Sequence, residues 1–240
     1  MRGLVVGMVL VLATGVAADP KPGRSADDLI DWIEKTTATI TSLEVVYEQE
    51  LKIEDAEQES ATLLESTLQT ERKGGVLRSR RETKMTTRQK CKKPGCTLTP
   101  PEMTGTSIEI NDGEYGYLYR LGDSTAAKRP TGGKDPLNPL ELPKNMRAAF
   151  VASNGKAPEY VKRIPDINVA GGRAYGLAMN LDNNNASFYF AHASGILVKN
   201  TTTSTTDGKT VTVTSVAKRV DVGKRIAADR FKLPTDITAK

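Results

Sequence analysis

After Ser25, apolar residues fall at Leu29, Ile30, Trp32, Ile33 and Ile40, a spacing that predicts an amphipathic helix of about four turns. Ser25 is placed to cap its start, and Asp27 and Asp28 sit in the first turn, where unpaired N–H groups favour negative charge. The period then changes to two. In SLEVVYEQELKIE, Leu43, Val45, Tyr47, Leu51 and Ile53 share one face of a predicted strand. ATLLESTLQTERK and VLRSRRETKMTTRQ read as two more long strands, joined at Gly74-Gly75. TSIEINDGEYGYLYRLG predicts a hairpin about Asp112-Gly113. DPLNPLELPKNMRAAFVASNG predicts a loop entering a short helix that stops near Gly155. Nearly all the remainder alternates as strand: EYVKRIPDINVAG, RAYGLAMNL, SFYFAHA, GILVKNTTTSTT and KTVTVTSVAKRV, parted by Gly- or Asn-rich turns.

Some nine or ten consecutive strands with one helix before them and one inserted curl into a barrel or half-barrel. The predicted fold is mainly β (α+β): an unclosed antiparallel β-barrel whose helices cap or fill its concave face. The hairpin at residues 187–200 poses a problem for that sheet. Phe188, Phe190 and His192 fall on one side, Tyr189, Ala191 and Ala193 on the other, and Ile196 and Val198 alternate with Leu197 after Ser194-Gly195. Apolar groups project both ways, whereas a half-solvated sheet carries polar residues on its second face. Helices and a hollow inside the curve are the expected cover.

The first eighteen residues change the setting. Arg2 precedes an apolar run ending in small residues, and Val16 and Ala18 suit a signal peptidase that cuts before Asp19. A retained N-terminal anchor is the competing reading. The first cysteine is Cys91, so no lipid-anchoring cysteine follows the cut. The expected organisation is a signal peptide (1–18), a flexible leader (19–24) and one domain (25–240), exported to the periplasm as a soluble, unlipidated chain. Net charge is +5, and the basic stretch ERKGGVLRSRRETKMTTRQKCKK lacks the aromatic partners of a nucleic-acid platform. It reads as a solvated strand pair or as a contact for acidic headgroups. Nucleic acid is not expected as a partner.

The two cysteines lie in CKKPGC, where a Pro-Gly turn can return Cys96 to Cys91. In an oxidising compartment a disulfide follows. A metal site needs more Cys or His ligands than one histidine supplies, so neither metal nor cofactor is expected. Catalytic signatures are equally sparse. His192 is the one imidazole, and no nucleophile elbow, metalloprotease helix, phosphate loop or dinucleotide fingerprint occurs. No catalytic residue is assigned, and the chain is not expected to be an enzyme.

Three stretches resemble the LolA-like periplasmic lipoprotein carriers, whose relatives include LolB and RseB-type regulators. DLIDWIEKTTATITSLEVVYEQELK is similar to their opening helix and first strand. IEINDGEYGYLYRLG resembles their hairpin through Asp112, Gly113, Tyr117 and Tyr119. The closing segment from 193 resembles theirs through Gly195, Ile226, Phe231 and Pro234. The CKKPGC insertion and STAAKRPTGGKDPLNPLELP depart from the pattern. The resemblance implies a signal peptide, a half-barrel capped by helices and a buried arginine that holds the lid, with Arg72, Arg78 and Arg80 in the right region. It implies a carrier that shuttles lipoprotein acyl chains or other lipids toward the outer membrane, a monomer with inner- and outer-membrane partners. An RseB-like sensor that binds a membrane-anchored regulator is the alternative. The expected lining of the hollow is Val45, Tyr47, Leu51, Leu64, Leu77, Tyr117, Tyr119, Phe188, Phe190 and Leu197.

Overall fold

The computed structural model describes residues 23, 25–55, 58–91, 103–131, 138–150, 154–169, 172–181 and 183–240. Residues 1–18 and Cys96 lie outside them, as does the loop that a Cys91–Cys96 bond would close. The elements are α1 (Ala26–Ala38), β1 (Ser42–Glu54), β2 (Gln58–Lys73), β3 (Val76–Cys91), β4 (Met103–Asn111), β5 (Tyr115–Arg120), β6 (Thr125–Pro130), α2 (Leu142–Ala149), β7 (Val161–Val169), β8 (Gly172–Leu181), β9 (Asn184–Ala191), β10 (Leu197–Thr206), β11 (Lys209–Val222) and β12 (Thr238–Ala239). One unclosed sheet orders them β12-β6-β5-β4-β3-β2-β1-β11-β10-β9-β8-β7. All pairs are antiparallel except β12 with β6. The fold is therefore mainly β, an open half-barrel with two helices among the described residues.

The twelve strands among the described residues exceed the nine or ten expected. The additions are β6, read from sequence as loop, and β12. Neither shows apolar alternation, because backbone hydrogen bonds hold them: Lys128 N–H donates to the Lys240 carbonyl at 2.8 Å and Lys240 N–H to Ala126 at 2.9 Å.

At the start of α1 the Ser25 hydroxyl accepts from Asp28 N–H at 3.0 Å, while Asp28 accepts from Ser25 N–H at 3.1 Å. Leu29, Ile30 and Ile33 then turn fully into the sheet, with Trp32 edge-on to Tyr175 at 5.0 Å. The acidic side of the helix faces α2. There Arg147 bonds Glu34 at 3.1 Å and pairs with Asp31, and its Nη1 donates to the Gly155 carbonyl at 2.9 Å. Arg147 escaped sequence reasoning because its partners lie on another helix more than a hundred residues away.

Register separates the two faces of the sheet. Val45 opposes Leu68, Leu68 opposes Arg81, Arg81 opposes Glu109 and Glu109 opposes Leu118. These residues share the concave face, so Tyr117 and Tyr119 project from the convex one. Tyr119 is buried there with Ile108, Ile110 and Ala126. The carboxyl-terminal tail covers them, with Leu233 and Ile237 packed on this cluster and a short 3₁₀ turn, Ala228–Phe231, burying Phe231 under the Arg78 guanidinium.

Glu44 is held beneath the same tail. It is 6% exposed and accepts from Lys224 at 2.7 Å and Gln69 at 2.7 Å, with Arg219 beside it at 2.5 Å. The Lys224 hydrogen bond, then that of Gln69, pull its carboxyl down to about 2, against the opposing effect of burial. A depressed folded pKa adds stability that is complete above the unfolded value of about 4.5 and gone once pH falls through about 2. Its cations are half exposed, so solvent screening reduces the contribution to on the order of 1 kcal/mol. Denaturant titrations of wild type and Glu44→Gln should therefore converge between these pH limits. A constant gap down to pH 2 would remove Glu44 from the acid response.

Candidate functional site

The clearest cavity lies where the sheet frays. The ladder of β10 with β11 ends at Lys199–Val216, yet β11 runs on to Val222 beside β1. A shift of register in β1–β11 between Val46 and Tyr47, and another in β9–β10 between Leu197 and Lys199, flank this region. Bulges bend a strand and increase its twist, and here they part the end of β11 from the turns beyond β10. The opening is bounded by the carboxyl end of α1, by Val169 and Gly172 at the facing ends of β7 and β8, and by the β9–β10 turn. It encloses about 570 Å³, within the range of small-molecule sites.

Its walls are small and apolar: Ile40, Val169, Ala191, Ala193, Val198, Ala217, Val220 and Val222. Thr36, Thr39 and Ser194 add hydroxyls, and Arg173, Lys218 and Arg219 supply the charged side chains. No carboxylate among the described residues lines it. The Thr36 and Thr39 hydroxyls are committed to helix carbonyls, each donating at 2.8 Å, which leaves their methyl groups as the wall they present. Alanines at 191, 193 and 217 create the space; larger residues there would close it.

Beside this cavity, β7 carries a bulge between Ile164 and Ile167. It folds over Gly176, where a β-carbon would stand 2.6 Å from Ile164 and 2.9 Å from the Pro165 carbonyl. The bulge brings in Asp166, which meets Arg163 and Arg173 at 3.2 Å each and lies 3.6 Å from His192 Nε2. The His192 ring stacks on Tyr175 at 3.6 Å, and burial followed by the Asp166 charge pushes the Tyr175 phenol upward. The one histidine thus joins a network that fastens β7 to β8 and β9.

None of the ten residues expected to line the hollow touches this cavity. Val45, Leu77 and Phe190 share the concave face but are buried under the helices or the 138–140 loop. Phe188 and Leu197 pack half-buried beside Phe190. Tyr47 lies alongside Val45 and donates from its hydroxyl to the Leu197 carbonyl at 2.8 Å; burial raises its pKa. Leu51 and Leu64 lie farther along the concave face, half-buried, among hydroxyl pairs such as Thr62–Thr87 at 3.1 Å and Ser66–Thr83 at 2.9 Å. Tyr117 and Tyr119 are the correction: the register of β3, β4 and β5 turns them to the convex face, away from the other eight.

The arginines also separate. Arg72 Nη1 donates to the Ala38 carbonyl at the end of α1, at 3.0 Å. Arg78 pairs with Glu71 on the convex side, and Arg80 lies 3.5 Å from Glu82 there. Arg72 alone of the three is bonded to a helix.

The β9–β10 hairpin that was apolar on both sides is covered twice. Phe188, Phe190 and Leu197 meet α1, while Tyr189 and Ala191 pack with Ile196 and Val198 in the second cluster. The Leu197 bulge allows neighbouring residues of β10 to serve both.

No family model matches the chain, and no curated protein does. Among solved structures, it is similar to an uncharacterized conserved protein from Thermus thermophilus, at 11% identity over 90% of this chain and 98% of the other, with a TM-score of 0.49. It is also similar to part of PNGF-II, at 10% identity over 83% of this chain and 32% of that one, with a TM-score of 0.35. A domain from Vibrio parahaemolyticus described as outer membrane lipoprotein-sorting matches at 9% identity over 85% and 94% of the two chains, with a TM-score of 0.27. At such distances none of these likenesses bears on activity.

Proposed function

We propose that the chain is a non-catalytic binding protein for lipid acyl chains, a periplasmic carrier that moves lipoprotein or other lipid cargo toward the outer membrane. The cavity of about 570 Å³ beside β11, walled by alanine, valine and isoleucine, is the observation that carries this reading. Each buried CH₂ contributes about 0.8 kcal/mol, so an acyl chain needs apolar volume more than polar contacts. The apolar leader ending at Ala18 supports export, and no helix among the described residues is long and apolar enough to cross a membrane.

Entry requires no movement of α1. That helix is fixed by the buried side chains of Leu29, Ile30 and Ile33, by Arg147 on α2 and by Arg72 at its carboxyl end. The cavity opens at the frayed end of the sheet instead. Cargo delivery implies donor and acceptor partners at the two membranes.

Native mass spectrometry of protein purified from cells, followed by titration with a fluorescent fatty acid, tests the reading. Co-purified lipid that the probe displaces is the expected result. Protein that emerges empty and ignores the probe would end it.

A further inference from the structure

Resting on the acyl-binding reading, we propose that the β11 cavity takes a single acyl chain bearing an anionic headgroup, seated against Arg173 and Lys218. A site of about 570 Å³ is the size that encloses one small ligand rather than several long chains. Its apolar floor and its charged rim are made by the same short stretch of β11. Ala217, Val220 and Val222 face inward, while Lys218 and Arg219 stand at the register shift beside them.

The charges around the rim leave a positive excess. Asp166 is shared by Arg163, Arg173 and His192. Arg163 is the more buried of its two arginines, so Arg173, 62% exposed, is left over for an incoming anion. Among the described residues Lys218 pairs with Glu48, at 3.1 Å, with both side chains more than half exposed. Such a pair is worth little, and Lys218 can turn to a ligand at small cost. Arg219 and Lys224 together balance Glu44 and Asp221. The carboxyl end of α1, whose dipole opposes an anion, has its Ala38 carbonyl occupied by Arg72.

Carboxylate and phosphate headgroups share this chemistry, and four probes distinguish them. Oleate, oleyl-lysophosphatidylglycerol, oleyl alcohol and inorganic phosphate would be titrated against the full mature chain at low and high salt. The anionic amphiphiles should bind about tenfold or more tighter than the alcohol at low salt, as a charge-assisted contact implies. The gap should narrow as salt rises, at a stoichiometry of one, with free phosphate too weak to compete. Whichever of oleate and the lysolipid binds tighter identifies the headgroup.

Arg173→Gln with Lys218→Gln, both at exposed sites, should abolish the gap between the anionic amphiphiles and oleyl alcohol. Val222→Trp, at a position 47% exposed, should weaken every amphiphile by filling the cavity. Equal affinities for oleate and oleyl alcohol would overturn the anionic headgroup and leave acyl binding intact. A three-chain lipopeptide binding tighter than oleate would overturn the single chain. Failure of every amphiphile would overturn the acyl-binding reading itself.

Discussion

Replacing Phe190 with glutamate is expected to abolish folding rather than ligand binding. Phe190 is 1% exposed and closes the cluster formed by Trp32, Tyr175 and Leu177 beneath α1. Removing the phenyl ring forfeits about 3–5 kcal/mol, and desolvating a carboxylate in its place costs several more. A domain stable by about 5–15 kcal/mol does not survive the sum with a useful folded fraction. Soluble yield and far-ultraviolet circular dichroism provide the measurement. Phe190→Leu serves as the control, retaining the fold with a loss of about 1–2 kcal/mol. A glutamate variant that melts alongside the parent would mean that this position opens to water.

Phe231→Ala should cost about 3–5 kcal/mol by the same cavity argument, although it lies in the tail rather than in the sheet. The ring is 1% exposed, and it fixes the segment that covers Ile108, Ile110 and Tyr119. Losing it should also loosen β12, whose neighbour Lys240 bonds Lys128 N–H. Amide exchange at Lys128 should then accelerate more than exchange at Val45 in the sheet centre. A stability loss below about 1 kcal/mol would show that the tail is a passive covering.

Periodicity made the sheet legible because alternation was strong wherever one face was buried. Leu43, Val45, Tyr47, Leu51 and Ile53 share a face as read, and the hairpin at Asp112-Gly113 stands where its turn residues placed it. Strands held mainly by backbone bonding left no such mark, so β6 and β12 were missed. The site was harder to read, because alternation identifies two faces without saying which is concave. Tyr117 and Tyr119 share their pattern with true inner residues, and only pairing carried across β3, β4 and β5 sends them outward. The cavity escaped for a related reason. Its walls are alanines and valines of ordinary appearance, made into a site by two local register shifts that interrupt alternation at Leu197 and near Lys218. Those shifts have no sequence signature beyond apolar residues of both parities.

The central position of β1 has a kinetic consequence. β1 spans residues 42–54, and one of its neighbours spans 209–222. The meander from β1 to β6 can assemble from hairpins close in sequence, and so can that from β7 to β11. Joining them is a long-range step whose loop-closure entropy must be met before contacts reward it, and topologies dominated by such pairings fold slowly. Until Val222 is available, the β1 edge carries unpaired N–H and C=O groups beside Leu43 and Val45, a template for pairing with another chain. Refolding yield should therefore fall steeply with protein concentration, and a holdase that shields one strand edge should restore it.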